Sequence, residues 1–404
     1  MLAILTTHPI QYQIPLWQAL AKDNAVPFKV WYLTDHGIKP SFDQQFGKTF
    51  AWDLDALAGY PYSFLKVNHG AEVGGFRKIR LVEPLQRVLQ EENVKALWIQ
   101  GWQVQAYWQA VRNASAVGVP VWLRGESNDL SVIPKWKKPI KKSLLTWLFN
   151  RVDNFLYIGQ ANKRLYENFG VRPDRLYPAP YCVDNERFAR TAEELLPQRA
   201  SIRSGWNIPE DAFCVLFAGK FIHKKRPLDI IKATHEAQKQ NPKRKVHLIF
   251  VGSGELGGEI RRACNIVFDA EDATTSTVGE KANDLPDASF VGFLNQTEIS
   301  RAYVAADCLV LPSDHRETWG LVVNEAMASG LPCIVSDACG CGEDLVAPIN
   351  PALRFPLGDY NALADALLLL MESSYSPAIL QAQVSKFDLS HSVKTIKQLY
   401  SAQN

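Results

Sequence analysis

Residues 313–337, SDHRETWGLVVNEAMASGLPCIVSD, decide the fold of this chain. The preceding run, DCLVLPS (307–313), is short, apolar and of strand type, and so is LPCIVSD (331–337) at the end. Between them Trp319-Gly320 opens a helical pattern that runs through Ser329, where Gly330 and Pro332 stop it. Strand, helix and strand in immediate succession predict a parallel sheet covered by helices. Two carboxylates interrupt this apolar segment, Glu317 in the strand-to-helix loop and Glu325 in the first half of the helix. Both can face one crevice beyond the strand's carboxyl end, where ligands of such sheets bind. There they can accept hydrogen bonds from sugar hydroxyls, which offer donors without charge. Either one alone is equally explained as a carboxylate favoured by a helix dipole.

The same alternation extends through most of the 404 residues, a length too great for one ordinary core. Strands are expected at 2–7, 28–33, 95–100, 119–124 and 154–159, with helical patterns near 83–91, 103–116 and 160–169. A second set is expected at 213–219, 245–252, 288–293, 307–313 and 331–337. This reads as two doubly wound α/β domains, 1–188 and 189–385, with a linker near 182–200 and a last helix, 386–404, packing back on the first domain. The polar, acidic stretch 266–287 reads as a surface loop.

Composition bounds the function. Apolar residues at 47% and charged residues at 21% exclude disordered and fibrous classes, and a net charge of +2 gives no general case for nucleic-acid binding. The seven cysteines are odd in number and absent before Cys182, which reads as reduced, cytoplasmic usage, and Cys339-Gly-Cys341 lacks the spacing of a zinc site. MLAILTTHPIQ has no signal-peptide pattern, and no stretch reaches the about 18 apolar residues of a membrane span.

Other motifs surround the opening stretch. A strand ending at Gly219 leads to Lys220, Lys224, Lys225 and Arg226 just before a helix that Pro227 can open. Cations there suit a diphosphate at a helix N-terminus, and they suit equally a solvated basic turn. Gly252, Gly254 and Gly257 match the dinucleotide fingerprint G-x-G-x-x-G, but no clear acidic residue closes a following strand about 20 residues on, so a tight turn near a nucleotide is the better reading. His8 and Gln11 end the first strand, where His8 can contact a ligand or simply pack beside Pro9. Asp53-Leu-Asp55 mimics a metal-binding DxD but reads as a surface pair. Nine of the eleven tryptophans lie in the first 147 residues and are mostly core, with Trp102 the one expected at a ligand cleft. In PKWKKPIKKSLLTWLFNR (134–151), five lysines precede an apolar helix, as in a segment lying on an anionic membrane surface or in a merely solvated basic face.

Together, GKFIHKKRPLDIIKA, VGSGEL, VGFLNQTEI and SDHRETWGLVVNEAMASGLPCIVSDACGCGEDLV closely resemble the carboxyl half of retaining GT-B glycosyltransferases of glycosyltransferase family four. The likeness covers about 205–370, and residues 1–185 share it more loosely through topology and PYCVDNERF. The resemblance implies two Rossmann-like domains facing a central cleft. It implies transfer of a sugar from a nucleotide-diphosphate sugar, here a UDP-sugar, to a glycan or lipid-linked acceptor of the cell envelope. Glu325 would hold the ribose hydroxyls, Glu317 a hydroxyl of the transferred sugar, and Lys220 and Lys225, with Gly219 and Arg226 beside them, the diphosphate. Backbone around Phe293 and Leu294 would line the base, and Gly252, Thr318, Trp319, Gly320 and Leu321 would complete the donor site. The leaving diphosphate would take the acceptor's proton on the same face of the sugar, leaving orientation and charge stabilisation to the enzyme, with no cofactor and no metal. The protein would be cytoplasmic, peripheral on the membrane through 134–151, without a nucleic-acid partner.

Two departures stand out. Lys220 replaces an arginine common in the family, which keeps the charge and loses the bidentate fork. Six residues beyond Pro120, where relatives carry a sugar-contacting histidine, stands Glu126, unless a gap moves the match to Arg124. Glu126 is expected in the site, kept ionised by Arg124, or else in a helix cap or a buried ion pair with Arg124. The rival readings are a sugar-nucleotide epimerase of the same fold and a non-catalytic nucleotide-sugar-binding subunit.

Overall fold

The computed structural model describes residues 1–38, 41–43, 48–50, 55–132, 134, 136, 138–272 and 285–403. The chain forms two compact units, one of Met1–Ser41, Leu54–Cys182 and Asp388–Asn404, the other built on Val183–Phe387.

In the first unit the apolar runs become β1 (Leu2–Thr6), β2 (Phe28–Tyr32), β5 (Tyr62–Phe64), β6 (Ala96–Ile99), β7 (Val121–Leu123), β8 (Asn154–Tyr157) and β9 (Leu176–Pro178); a separate pair, β3 (Ser41–Asp43) and β4 (Lys48–Phe50), lies between β2 and β5 in sequence. The sheet order is β5-β2-β1-β6-β7-β8-β9, and its pairings are parallel. Side chains alternate across it, so Ala3, Leu5, Trp31, Leu97 and Ile99 fill one layer and Leu2, Ile4, Val30, Tyr32 and Trp98 the other. The helix Gln105–Ala116 covers the first layer and Ile14–Asp23 the second. The helix Leu389–Ser401 also belongs to the second layer: Val393, Ile396, Leu399 and Tyr400 are core, Thr395 donates to the Pro178 carbonyl at 2.6 Å, and Lys397 pairs with Asp23 at 2.9 Å.

The second unit repeats the plan with β10 (Phe213–Ala218), β11 (Val246–Val251), β12 (Asn265–Asp269), β13 (Asp287–Gly292), β14 (Cys308–Leu311), β15 (Cys333–Ser336) and β16 (Arg354–Phe355), in the order β12-β13-β11-β10-β14-β15-β16. These pairings too are parallel. The expectation of a loop over all of 266–287 is corrected at its start: Asn265–Asp269 is an edge strand on β13, half-buried and closed by an Arg261–Asp269 ion pair at 2.6 Å. Residues 273–284 lie outside the described residues. The strands β5, β9 and β16 were not expected. Each has two or three residues and borrows its order from a longer neighbour, so none shows a period of its own.

Candidate functional site

In the second unit the chain leaves β10 towards β11 and returns to the other edge of β10 as β14. The loops after β10 and β14 therefore part in opposite directions, and the crevice of a doubly wound sheet opens between them. One loop carries Gly219 to Arg226 and the other Ser313 to Gly320. They are tied twice: the Asp314 amide donates to the Lys224 carbonyl at 2.8 Å, and the Lys225 ammonium forms an ion pair with the Glu317 carboxylate. That pair is largely withdrawn from water. Burial alone would raise the Glu317 carboxyl, but Lys225, by charge and hydrogen bond, aided by Lys224 and Ser313, holds it below the usual carboxylate range. Burial lowers the Lys224 ammonium, as do the neighbouring cations Lys225 and Lys220, against the pull of Glu317.

Glycines bring the backbone close. A Cβ on Gly252 would lie 2.1 Å from the Gly219 carbonyl oxygen, and its φ is 124°, a conformation side chains resist. The G-x-G-x-x-G motif is thus a tight turn from β11 into the helix Gly257–Arg262. Gly320, at φ 104°, opens the helix Leu321–Ala328, and a Cβ there would meet Leu311 Cδ2 at 2.6 Å.

Glu325 sits in that helix and is buried. Tyr303 donates to one carboxylate oxygen at 2.5 Å and Gln296 to the other at 3.5 Å, while Arg187 grips the Gln296 side chain at 2.8 Å. Desolvation outweighs these contacts and raises the Glu325 carboxyl. Phe293 and Leu294 follow β13, half-buried, and Lys220 and Thr318 are half-buried in their loops.

Two expected contacts need correction. Trp319 is core: its ring meets Phe387 at 5.7 Å, its indole N–H donates to Asn324 at 2.8 Å, and only its backbone lies along the loop. Arg226, at φ 50°, closes on Asp229 at 2.6 Å, so its guanidinium neutralises its own helix's first turn rather than joining Lys225. Leu321 is buried at that helix's start, and Cys339 and Cys341 are buried and unbridged.

In the first unit the order reverses at β1, between β2 and β6, and His8 and Trp102 stand on the loops at that point. His8 is half-buried, with Nδ1 2.9 Å from the Thr7 hydroxyl and its ring 5.2 Å from His36; burial, then His36, brings it down to about 4 and keeps it neutral at pH 7. Trp102 leans on Gly125, where a Cβ would lie 2.1 Å from its ring, and on Phe149 at 5.5 Å. The expected Arg124–Glu126 pairing is corrected. Arg124 is buried, donates to the Pro180 carbonyl at 3.3 Å and lies over the Tyr181 ring. Glu126 is exposed and hydrogen-bonds Tyr181, whose hydroxyl is pushed well up by burial and then by this carboxylate. Trp17, Trp31, Trp98 and Trp122 are fully buried. Asp55 caps a surface turn by accepting from the Leu57 amide at 3.1 Å; Asp53 and Trp52, like Lys135 and Lys137 of the basic segment, lie outside the described residues. Sequence reading overlooked Tyr303, Gln296 and Arg187. The only available signal was general: a tyrosine in an apolar run needs a partner for its hydroxyl.

Two doubly wound units of seven parallel strands, with crevices at their reversal points, define the GT-B class of fold. Residues 198–387, which hold Lys225, Glu317 and Glu325, match the sequence model of the group 1 glycosyl transferases. A D-inositol 3-phosphate glycosyltransferase of Nocardioides is 29% identical over 176 residues, 43% of this chain and 37% of that protein. A GDP-mannose-dependent alpha-mannosyltransferase of Mycobacterium tuberculosis is 40% identical over 88 residues, 22% of this chain and 23% of that protein. The chain thus spans less than two-fifths of the length of these relatives. Among solved structures, a glycosyltransferase from Rickettsia africae aligns over 100% of this chain and 98% of its own, with a TM-score of 0.68 at 12% identity. Anabaena HepE in complex with UDP aligns over 99% of each chain, with a TM-score of 0.67 at 17% identity. Among the described residues no helix is long and apolar enough to cross a membrane.

Proposed function

We propose that this protein is a retaining glycosyltransferase. It moves a sugar from a nucleotide-diphosphate sugar, a UDP-sugar, to a glycan or lipid-linked acceptor in building a cell-envelope polysaccharide or glycolipid, at the cytoplasmic face of an anionic membrane. The observation that carries the reading is the Lys225–Glu317 pair, bridging the loops of β10 and β14, with Glu325 in the helix that directly follows the β14 loop. The HepE complexes with UDP, and with UDP and glucose, support the choice of donor.

On this reading Glu325, anchored by Tyr303 and Gln296, accepts hydrogen bonds from the ribose hydroxyls. Glu317 orients a hydroxyl of the transferred sugar. Lys220 and Lys225, with the N-terminus of Leu321–Ala328, stabilise negative charge as it grows on the leaving diphosphate. The bond from the sugar's anomeric carbon to the diphosphate breaks as the acceptor oxygen bonds the same face, and the acceptor's proton passes to the departing phosphate oxygen. His8, neutral at pH 7, can donate or accept one hydrogen bond. No metal ion or cofactor enters this scheme.

A thermal-shift series with UDP, GDP and their glucose, galactose and mannose conjugates tests donor binding, since a ligand at 100 times its Kd adds about 2.7 kcal/mol. Donor-dependent stabilisation followed by release of nucleotide diphosphate with an acceptor is expected. An isomerised nucleotide sugar formed without acceptor would point to an epimerase, and binding without turnover to a sensor subunit.

A further inference from the structure

The basic segment at 134–151 does not stand alone. On the helix Lys138–Phe149, Leu145, Leu148 and Phe149 turn to the core, while Ile140 and Leu144 lie outward at 60% and 53% exposure, on a stripe that Trp147 continues. Trp136, just before the helix, is 69% exposed. Trp147 stacks on Trp108 at 5.6 Å, and Trp108 meets the ring of Phe76 edge-on at 6.0 Å. Phe76 is itself 46% exposed, on a turn where Gly74 takes a φ of 128° that side chains resist. That turn is fixed in place: the Phe76 and Ile79 carbonyls accept from the Gln105 and Ala106 amides at 2.8 and 3.1 Å, and Ile79 is buried. Two segments distant in sequence thus present one apolar surface with an aromatic seam.

Its charge is mainly positive, with Glu72, which pairs with Lys78 at 3.1 Å, and Glu83 flanking the turn. Neither VGGFRKIRLV (73–82) nor PKWKKPIKKSLLTWLFNR (134–151) contains an acidic residue. Arg77, Arg80, Lys138 and Lys142 are exposed around the apolar side chains, and Arg151 lies over the Trp147 ring at 4.1 Å. Exposed apolar side chains ringed mainly by cations match an anionic lipid surface, which takes the former below the headgroups and the latter among them.

We infer that the Val73–Val82 turn and the outer stripe of Lys138–Phe149 form one composite dock for an anionic bilayer, with Phe76 as its second anchor beside Ile140 and Leu144. The inference rests on the membrane-facing reading of 134–151 and adds to it a second basic and apolar segment, 73–82.

The test is co-sedimentation of the full chain with vesicles of phosphatidylglycerol and phosphatidylcholine in equal parts, against phosphatidylcholine alone. The protein should partition to the anionic vesicles and leave them as salt rises. Ile140→Asp with Leu144→Asp should weaken partition by on the order of 100-fold, and Phe76→Asp alone by roughly 10-fold, each replacing insertion with repulsion. Ile379→Asp, equally exposed but in the other unit, should change nothing. Because aspartate could disturb a neighbour, brominated lipid provides a second readout: it should quench wild-type tryptophan fluorescence more than that of Trp136→Phe. A wild-type chain that ignores anionic vesicles at low salt overturns the membrane reading itself. Binding lost in the helix variant but kept in Phe76→Asp overturns only the composite dock. A dimer in solution that Phe76→Asp dissociates, with no vesicle binding, makes the surface a contact between copies and overturns both.

Discussion

Glu317 and Glu325 are eight positions apart and electrostatically opposite. Glu317 is held below the usual carboxylate range by Lys225, so its stabilisation is complete above an ordinary pKa of about 4.3 and is lost as pH falls through its lower folded value. Glu325 is raised by burial, so its contribution is complete below about 4.3 and is lost as pH climbs through its higher folded value. Glu325→Gln, which can still accept from Tyr303, should therefore flatten the pH dependence of urea unfolding above pH 4 without lowering stability at neutrality. It should weaken donor binding by about 1.5–3 kcal/mol, read by titration calorimetry. Lys225→Ala should lower kcat by on the order of 100-fold, with a smaller change in donor affinity, because the charge it meets grows in the transition state. It also strands a buried carboxylate, at a loss on the order of 3 kcal/mol. Adding Glu317→Gln to Lys225→Ala should recover stability and not turnover, and unchanged turnover in folded Lys225→Ala would remove this lysine from the site. Glu126→Gln asks a similar question in the first unit. Because glutamine can still accept from Tyr181 and there is no Arg124 pair to lose, its melting temperature should barely move, and a drop in turnover per folded molecule would place Glu126 at the chemistry. The two glutamates were legible in the sequence because polar side chains in an apolar run demand an account. Arg124 was not, because its partners, Pro180 and Tyr181, lie more than 50 positions away and were brought close only by β9.

At the scale of elements, the site depends on where strands end. The ladder of β10 with β11 closes at Gly219 and Gly252, and the backbone of one passes where a side chain of the other would be. Gly252→Ala combines that overlap with a positive φ and should cost about 2 kcal/mol or more in a denaturant titration, with weaker donor binding as the Lys220 loop shifts. Little change in both would mean that the crossing relaxes freely. The long strands and the helix after Gly320 could be read in advance because two periods, 2 and 3.6, alternate cleanly along them. Strand β12 could not, since Ile266–Asp269 runs into the acidic stretch that follows and its order comes from the β13 ladder. Trp319 misled for a related reason: beside Gly320 it has a binding-loop address, and only the packing of Phe387 shows which way its ring turns.

For the whole molecule, the last helix matters beyond its length. A chain ending at Phe387 loses Val393, Ile396, Leu399 and Tyr400 from the first unit's core, each contributing about 1.5 kcal/mol or more of burial. That approaches the ~5–15 kcal/mol stability of a typical domain, so the truncated chain should keep the second unit's unfolding transition and lose that of the first. Two intact transitions by calorimetry would contradict the assignment. The same connectivity bears on how the protein is born. Translation runs from the amino end, so the unit begun first is finished last: its sheet emerges early, and its covering helix follows about 200 residues later. At ~5–20 residues per second the nascent sheet waits roughly 10–40 s without the helix that shares a core layer with Leu2, Ile4 and Trp17.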